Sequence, residues 1–180
     1  MKIIAKILLL FLLINSSAYS ACNFKVRFGE NKASIEEKIE GRSFPLQYPG
    51  LEVFPILAND ICPNEKLDDI GIEFKFLNDA LLAINLVALN DEKNHVSEKL
   101  TLMKYAKKVY GKFDTTQNPK SYTGFEIFEK PNEFIVYQRL LNEGGMIDEQ
   151  LYISTPAFDK KLMEFYAKME TELLESSNEN

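Results

Sequence analysis

The chain has 180 residues, with 21 Lys and Arg against 27 Asp and Glu, one His, and a formal net charge of −6. That excess of acid excludes a general ligand for nucleic acid or an anionic membrane. The length suits one domain with its own core and is short for two.

Residues 1–20 read as a secretory leader. Lys2 and Lys6 precede the apolar run Ile7 to Ile14, which is too short to span a bilayer, and Ala18 and Ser20 supply a small-residue cleavage pattern before Ala21. Its removal leaves one expected domain over 21–175, a flexible polar tail over 176–180, and an even more acidic chain. No later stretch is long and apolar enough for a membrane helix, so the expected location is periplasmic or extracellular.

Cys22 follows Tyr19-Ser20-Ala21, which has the small residues of a lipobox but an aromatic where an aliphatic residue is usual. A lipid anchor at Cys22 would leave Cys62 alone in an oxidising compartment. A Cys22–Cys62 disulfide uses both cysteines and closes a loop of about 40 residues. The spacing and the single histidine match no zinc pattern.

Phe24, Val26 and Phe28 alternate with polar residues and predict a half-buried strand ending at Gly29. Ser34 to Glu37 reads as a capping box opening a short helix that Gly41 stops. Leu51 to Leu57 is extended, but Pro55 lacks an N–H and demotes it to an edge or irregular strand. IGIEFKF and LLAINLVAL, joined by Asn78-Asp79, predict a hairpin. Apolar residues at three- and four-residue steps predict a helix from Ser97 to Tyr110, closed by Gly111.

A second hairpin is expected from Tyr122 to Phe128 and Phe134 to Leu141 around Pro131-Asn132, then a strand from Gln150 to Ser154. Thr155 caps a final helix with Pro156 at its first position and an apolar stripe of Phe158, Leu162, Phe165 or Tyr166, Met169 and Leu173. Gly71 to Phe74 resembles Gly124 to Ile127, and Ala88 to Asp91 resembles Leu140 to Glu143, so the chain could hold two weakly similar hairpin-plus-helix units. The expected class is α+β, a mostly antiparallel sheet with two main helices packed on one face.

Four constellations invite chemistry. His95 could serve as a general base, but no nucleophile elbow accompanies it, and a solvated loop residue is the simpler reading. Asn59, Asp60, Asn64, Glu65, Asp68 and Asp69 offer oxygen ligands without a calcium-loop spacing, and they also serve as ordinary turn formers. Lys104, Lys107, Lys108 and Lys112 gather at a helix C-terminus, where cations complement the dipole. Glu143, Asp148 and Glu149 surround Gly144-Gly145 and suggest paired carboxylates, though acidic turns are routine.

No P-loop, dinucleotide fingerprint or metal-ligand cluster is present, so no catalytic residue, metal or cofactor is assigned. The expected function is a non-enzymatic exported binding or envelope-assembly module for an unknown protein partner. Two alternatives stand beside it: a carrier of a small apolar ligand or lipid in a helix–sheet pocket, and a hydrolase without a recognisable motif.

Overall fold

The structure, a computed structural model, describes residues 22–90, 95–113, 123–141 and 145–178. The leader, its cleavage pattern and Glu143 lie outside them.

The elements are α1 (Lys32–Ile39), β1 (Phe44–Pro45), β2 (Leu51–Leu57), α2 (Ala58–Ile61), β3 (Ile70–Leu77) and β4 (Ala80–Ala88). A 3-10 turn (Val96–Lys99) then leads into α3 (Thr101–Val109), β5 (Gly124–Lys130), β6 (Glu133–Leu141), β7 (Ile147–Ser154) and α4 (Pro156–Asn178). All seven strands form one antiparallel sheet in the order β1-β2-β3-β4-β7-β6-β5. The α+β class read from the sequence is the class observed.

Both hairpins form where the turn chemistry places them. Asn78 and Asp79 take positive φ of 49° and 71°, which the twist of a two-residue hairpin turn demands and Asx residues tolerate. β2 runs straight through Pro55 because β1 pairs only with Val53 and Glu52, so the missing N–H faces no neighbour. Thr155 Oγ1 accepts from the Phe158 N–H at 3.2 Å and caps α4, with Pro156 as its first residue.

Four expectations are corrected. Phe24, Val26 and Phe28 do alternate inward, yet they form no strand. β7 occupies the partner edge of β4 from Ala83 onward, so the N-terminal segment meets β4 at its start, with Asn31 opposite Ala80, the Gly29 N–H on the Leu81 carbonyl and the Leu81 N–H on the Glu30 carbonyl. The first helix starts three residues early, because Asn31 rather than Ser34 is the cap and accepts the Ser34 N–H. Its stop is Glu40 in the left-handed region, while Gly41 is required for closeness: a Cβ there would sit 2.3 Å from the Phe54 ring.

The predicted helix Ser97–Tyr110 is broken at Leu100, which has φ 52° and separates the 3-10 turn from α3. The fourth correction concerns layers. Glu149 and Leu151 of β7 face α3, whereas Tyr152 faces α4 and donates its hydroxyl to Asp159 at 3.0 Å. Successive strand residues point to opposite faces, so the two main helices lie on opposite faces of the sheet, not one.

The α3 face holds the larger core, including Ile72, Phe74, Leu86, Tyr137 and Leu151, roofed by α1, α2, α3 and the N-terminal segment. The α4 face holds a smaller cluster of Leu51, Leu77, Leu82, Ala83 and Leu162, with Phe158, Phe165 and Tyr166 against it. α4 runs to Asn178, into the residues read as a tail, and its last turns carry Leu173 and Leu174 exposed. The two similar hairpins hold unequal places, since β3 and β4 are interior while β5 is the outer strand. A repeat relating them by sequence is therefore not a repeat in the sheet.

Cys22 and Cys62 are bonded, with Cα atoms 5.5 Å apart and both residues buried. The Cys22 N–H also donates to the Tyr105 hydroxyl of α3 at 3.0 Å, so the bond pins the N-terminal segment beneath that helix. Replacing both cysteines with serine should lower the unfolding free energy by about 3–4 kcal/mol, measured by urea titration. Gly41→Ala should cost about 1–3 kcal/mol. Pairing it with Phe54→Leu should give a double-mutant cycle with a coupling well away from zero, because the clash is with that ring alone.

Candidate functional site

The residues singled out in the sequence do not converge. His95 is exposed at the start of the 3-10 turn. Of the acidic loop, Asn59 donates to Asp68 at 2.8 Å and Glu65 binds Lys108 at 2.9 Å, so those side chains hold the loop and α3 together. Among the described residues no group of three or more His, Cys, Asp or Glu gathers as metal ligands. The lysine cluster is divided likewise, with Lys107 lying 4.9 Å over the Phe113 ring and Lys108 on Glu65.

Glu149 and Asp148 are adjacent in β7 and so point to opposite faces, which rules out a pair acting in one cleft. Asp148 is exposed. Glu149 is 1% exposed and does something the sequence did not signal. Its carboxylate accepts the Leu102 and Met103 N–H groups at 3.2 and 2.8 Å and the Tyr137 hydroxyl at 3.0 Å. These are the orphan amides of the first turn of α3, whose cap residue Leu100 has no side-chain oxygen to offer. A carboxylate from another element thus caps the helix and meets the positive end of its dipole.

Burial pushes the Glu149 carboxyl up to about 7, against its three hydrogen bonds and the buried Arg139 guanidinium, which favour the charged form. Next to it Asn90 and Ser97 tie the 3-10 turn to the Ile147 carbonyl of β7, the Asn90 amide at 2.8 Å. The break at Leu100 follows from these two anchors. It lets Ser97 reach Ile147 and α3 aim its first amides at Glu149.

Among the described residues several concavities open on the surface. One, of about 770 Å³, runs along Asn23 to Glu30 and is polar. There Glu30 is engaged by Lys38 and Ser34, whose hydrogen bonds hold its carboxyl at about 2. A second, of about 370 Å³, opens between the N-terminal segment and the end of α3. Phe24, Val26, Phe28, Val109 and Tyr110 line it, Ile84 and Ile153 form its floor, and Lys130 and Glu133, 3.3 Å apart, stand at its mouth. It is a cleft between the end of α3 and the sheet.

The third lies on the α4 face, about 300 Å³ in volume. Asn85, Gln150 and Gln138 form its floor, Phe134, Val136 and Tyr152 flank them, and Asp159 and Met163 of α4 make its wall, with Lys75 at the far rim. Asn85 gives its amide N–H₂ to Glu73 at 3.3 Å and to Gln150 at 3.4 Å. Burial and the Asp159 charge push the Tyr152 hydroxyl well above its ordinary range, so it stays a donor to Asp159. Beyond this groove the sheet is bare: Phe125 is 63% and Ile127 46% exposed, with Leu140 beside them. The alternation of β5 and β6 reveals these positions in sequence, but their exposure depends on where α4 ends its cover.

Glu149 makes a pH prediction. Its folded carboxyl titrates near 7 and an unfolded one near 4.5, so between those values the folded state holds the extra proton. Stability should therefore fall as pH rises from 4.5 to 7, by up to about 3 kcal/mol at about 1.4 kcal/mol per unit. Glu149→Gln should flatten this dependence in parallel urea titrations. A difference between the two proteins that does not vary with pH would mean the carboxylate is charged throughout.

No protein-family model matches the chain, and no curated protein matches it. Among solved structures, a cysteine-rich secretory protein from Staphylococcus aureus is similar at a TM-score of 0.31 and 10% identity, over 72% of this chain and 44% of that one. The chain thus spans less than half the length of that protein, and the likeness is too distant to define a fold or a function.

Proposed function

We propose that this chain is an exported, non-enzymatic binding module whose recognition surface is the open half of the α4 face. The observation that carries the reading is asymmetry of cover. One face of the sheet carries the larger core under three helices and the N-terminal segment, while on the other Phe125, Ile127 and Leu140 stand exposed around a groove floored by amides. Contiguous exposed apolar side chains rimmed by polar ones mark interaction sites. Export is supported by the hydrophobic leader and by the disulfide, a bond that persists in oxidising compartments. Among the described residues no helix is long and apolar enough to cross a membrane.

A second reading, the carrier of a small apolar ligand, is favoured by the cleft over Ile84 and Ile153. Its apolar floor and its single ion pair at the mouth suit a ligand with one polar end.

Amide-resolved NMR on the labelled protein separates these readings. Titration with soluble oligosaccharides and short peptides should shift the signals of Ile127, Val136 and Gln138, while palmitate should shift those of Ile84, Tyr110 and Ile153 if the carrier reading holds. Turnover of an ester, peptide or glycoside during the titration would overturn the non-enzymatic reading. Phe125→Ser with Ile127→Ser should change stability by no more than about 1 kcal/mol, since both side chains are exposed, yet remove the shifts on the open face.

A further inference from the structure

We infer that the outer edge of β5 is the seam of a homodimer, in which two copies pair antiparallel about a two-fold axis at Ile127 and their seven-stranded sheets become one. This goes beyond the reading of the α4 face and does not depend on what that face binds.

The two ends of the sheet are built differently. At one end β1 is two residues long and one of them is Pro45, while Pro55 removes a further donor from β2 behind it. Short strands and prolines keep an edge from pairing with a second chain. At the other end β5 runs for seven residues, Gly124 to Lys130, with no proline, and its ladder with β6 has no bulge. Among the described residues no backbone group pairs with its outer side.

The hairpin fixes which groups that side presents. The two-residue loop Pro131-Asn132 makes Lys130 and Glu133 the closing hydrogen-bonded pair of the ladder. By alternation Gly124, Glu126 and Phe128 also bond inward to β6, and the N–H and C=O groups of Phe125, Ile127 and Glu129 turn outward. A run of outward residues centred on Ile127 matches its own two-fold image. Ile127 pairs with its copy and Phe125 with Glu129 of the second chain, so every outward donor meets an acceptor.

The residue types select this register over its neighbours. With the axis at Ile127, Glu129 falls opposite Phe125, Glu126 opposite Phe128, and Lys130 opposite Gly124. An axis one residue earlier sets Glu126 directly against its copy, and like charges opposite one another are destabilising. An axis one residue later sets Phe125 against Pro131, which has no N–H to give. Phe128 turns toward the larger core, so Phe125 and Ile127 lie on the α4 side, both exposed. In the dimer they form one apolar strip with their copies, Ile127 against Ile127 and each Phe125 diagonal to it. The net charge of −6 opposes the meeting of two copies, so association strengthens as salt screens it.

The test combines sedimentation velocity with amide hydrogen exchange on the full oxidised protein. Between about 10 µM and about 1 mM, the range suited to a contact under about 1,200 Å², monomer should give way to dimer and growth should stop there. At the upper concentration the Phe125, Ile127 and Glu129 amides should exchange about tenfold more slowly than at the lower. Those of Glu126 and Phe128, already bonded to β6, should change little. Ile127→Pro removes the outward N–H at the axis, leaves the β5–β6 ladder whole, and should weaken the dimer by about tenfold or more. Ile127→Cys should cross-link on oxidation, because its Cα atoms lie about 5.5 Å apart at the axis. Phe125→Cys, more than about 13 Å from its copy, should not.

A monomer throughout the range overturns the proposal. So does a dimer whose Phe125 and Ile127 amides exchange as fast as the monomer's, since its contact lies on another surface. Cross-linking by Phe125→Cys and not by Ile127→Cys, or growth past the dimer, overturns it as well.

Discussion

The pairing of β4 with β7 is the constraint on which the rest of the molecule hangs. Five registered pairs, Ala83 to Val87 against Ser154 to Gln150, join the four-stranded meander β1–β4 to the three-stranded meander β5–β7. The same pairing sets the parity of β7, and with it the two faces. Odd residues, Glu149, Leu151 and Ile153, enter the larger core, and Tyr152 turns to α4. Shifted by one residue, the register would bury Tyr152 beside α3 and expose the carboxylate that caps that helix. It also keeps the N-terminal segment off the edge of β4 beyond Leu81, so the disulfide and the Tyr105 hydroxyl hold its Cys22 end while Gly29, Glu30 and Asn31 hold the other.

The two faces then solve different problems. On the α3 side a carboxylate, a guanidinium and a phenol are buried together, and the charge is tolerated because backbone amides and Tyr137 satisfy it. That arrangement joins α3 to the sheet by direction as well as by apolar area. On the α4 side the helix covers β4 and β7 near Ala83 and Tyr152 and leaves Phe125 and Ile127 of β5 and Leu140 of β6 in the open. A closed face confers rigidity; a half-closed one leaves a surface for recognition.

Much of the secondary structure was legible in the sequence because its causes are local. Asn78-Asp79 and Pro131-Asn132 are turn chemistry, Thr155-Pro156 is a helix start, and Pro55 announces a strand with a free side. The failures have equally specific causes. Asn31 outcompeted Ser34 as a cap because the chain turns there to meet Ala80 and Asp79 of the hairpin. Leu100, a poor residue for positive φ, breaks a well-patterned helix because Glu149 and Ile147, some fifty residues away, hold the pieces on either side. Glu149 read as one of several acids around a glycine turn, since nothing in its neighbours shows which of two adjacent carboxylates faces inward.

What the sequence alone determined is the α+β class, both hairpins, the final helix and the pairing of the two cysteines. Each of these follows from periodicity, turn residues, caps or simple counting, and none needs knowledge of distant neighbours. The tertiary structure decided that the main helices lie on opposite faces, that Glu149 caps α3, and that Asn85 lies buried at the floor of an open groove. Those depend on the register between β4 and β7 and on where α4 ends its cover. Such pairings arise between residues far apart in the chain, where hydrophobic alternation says which residues share a face but not what will be laid upon it.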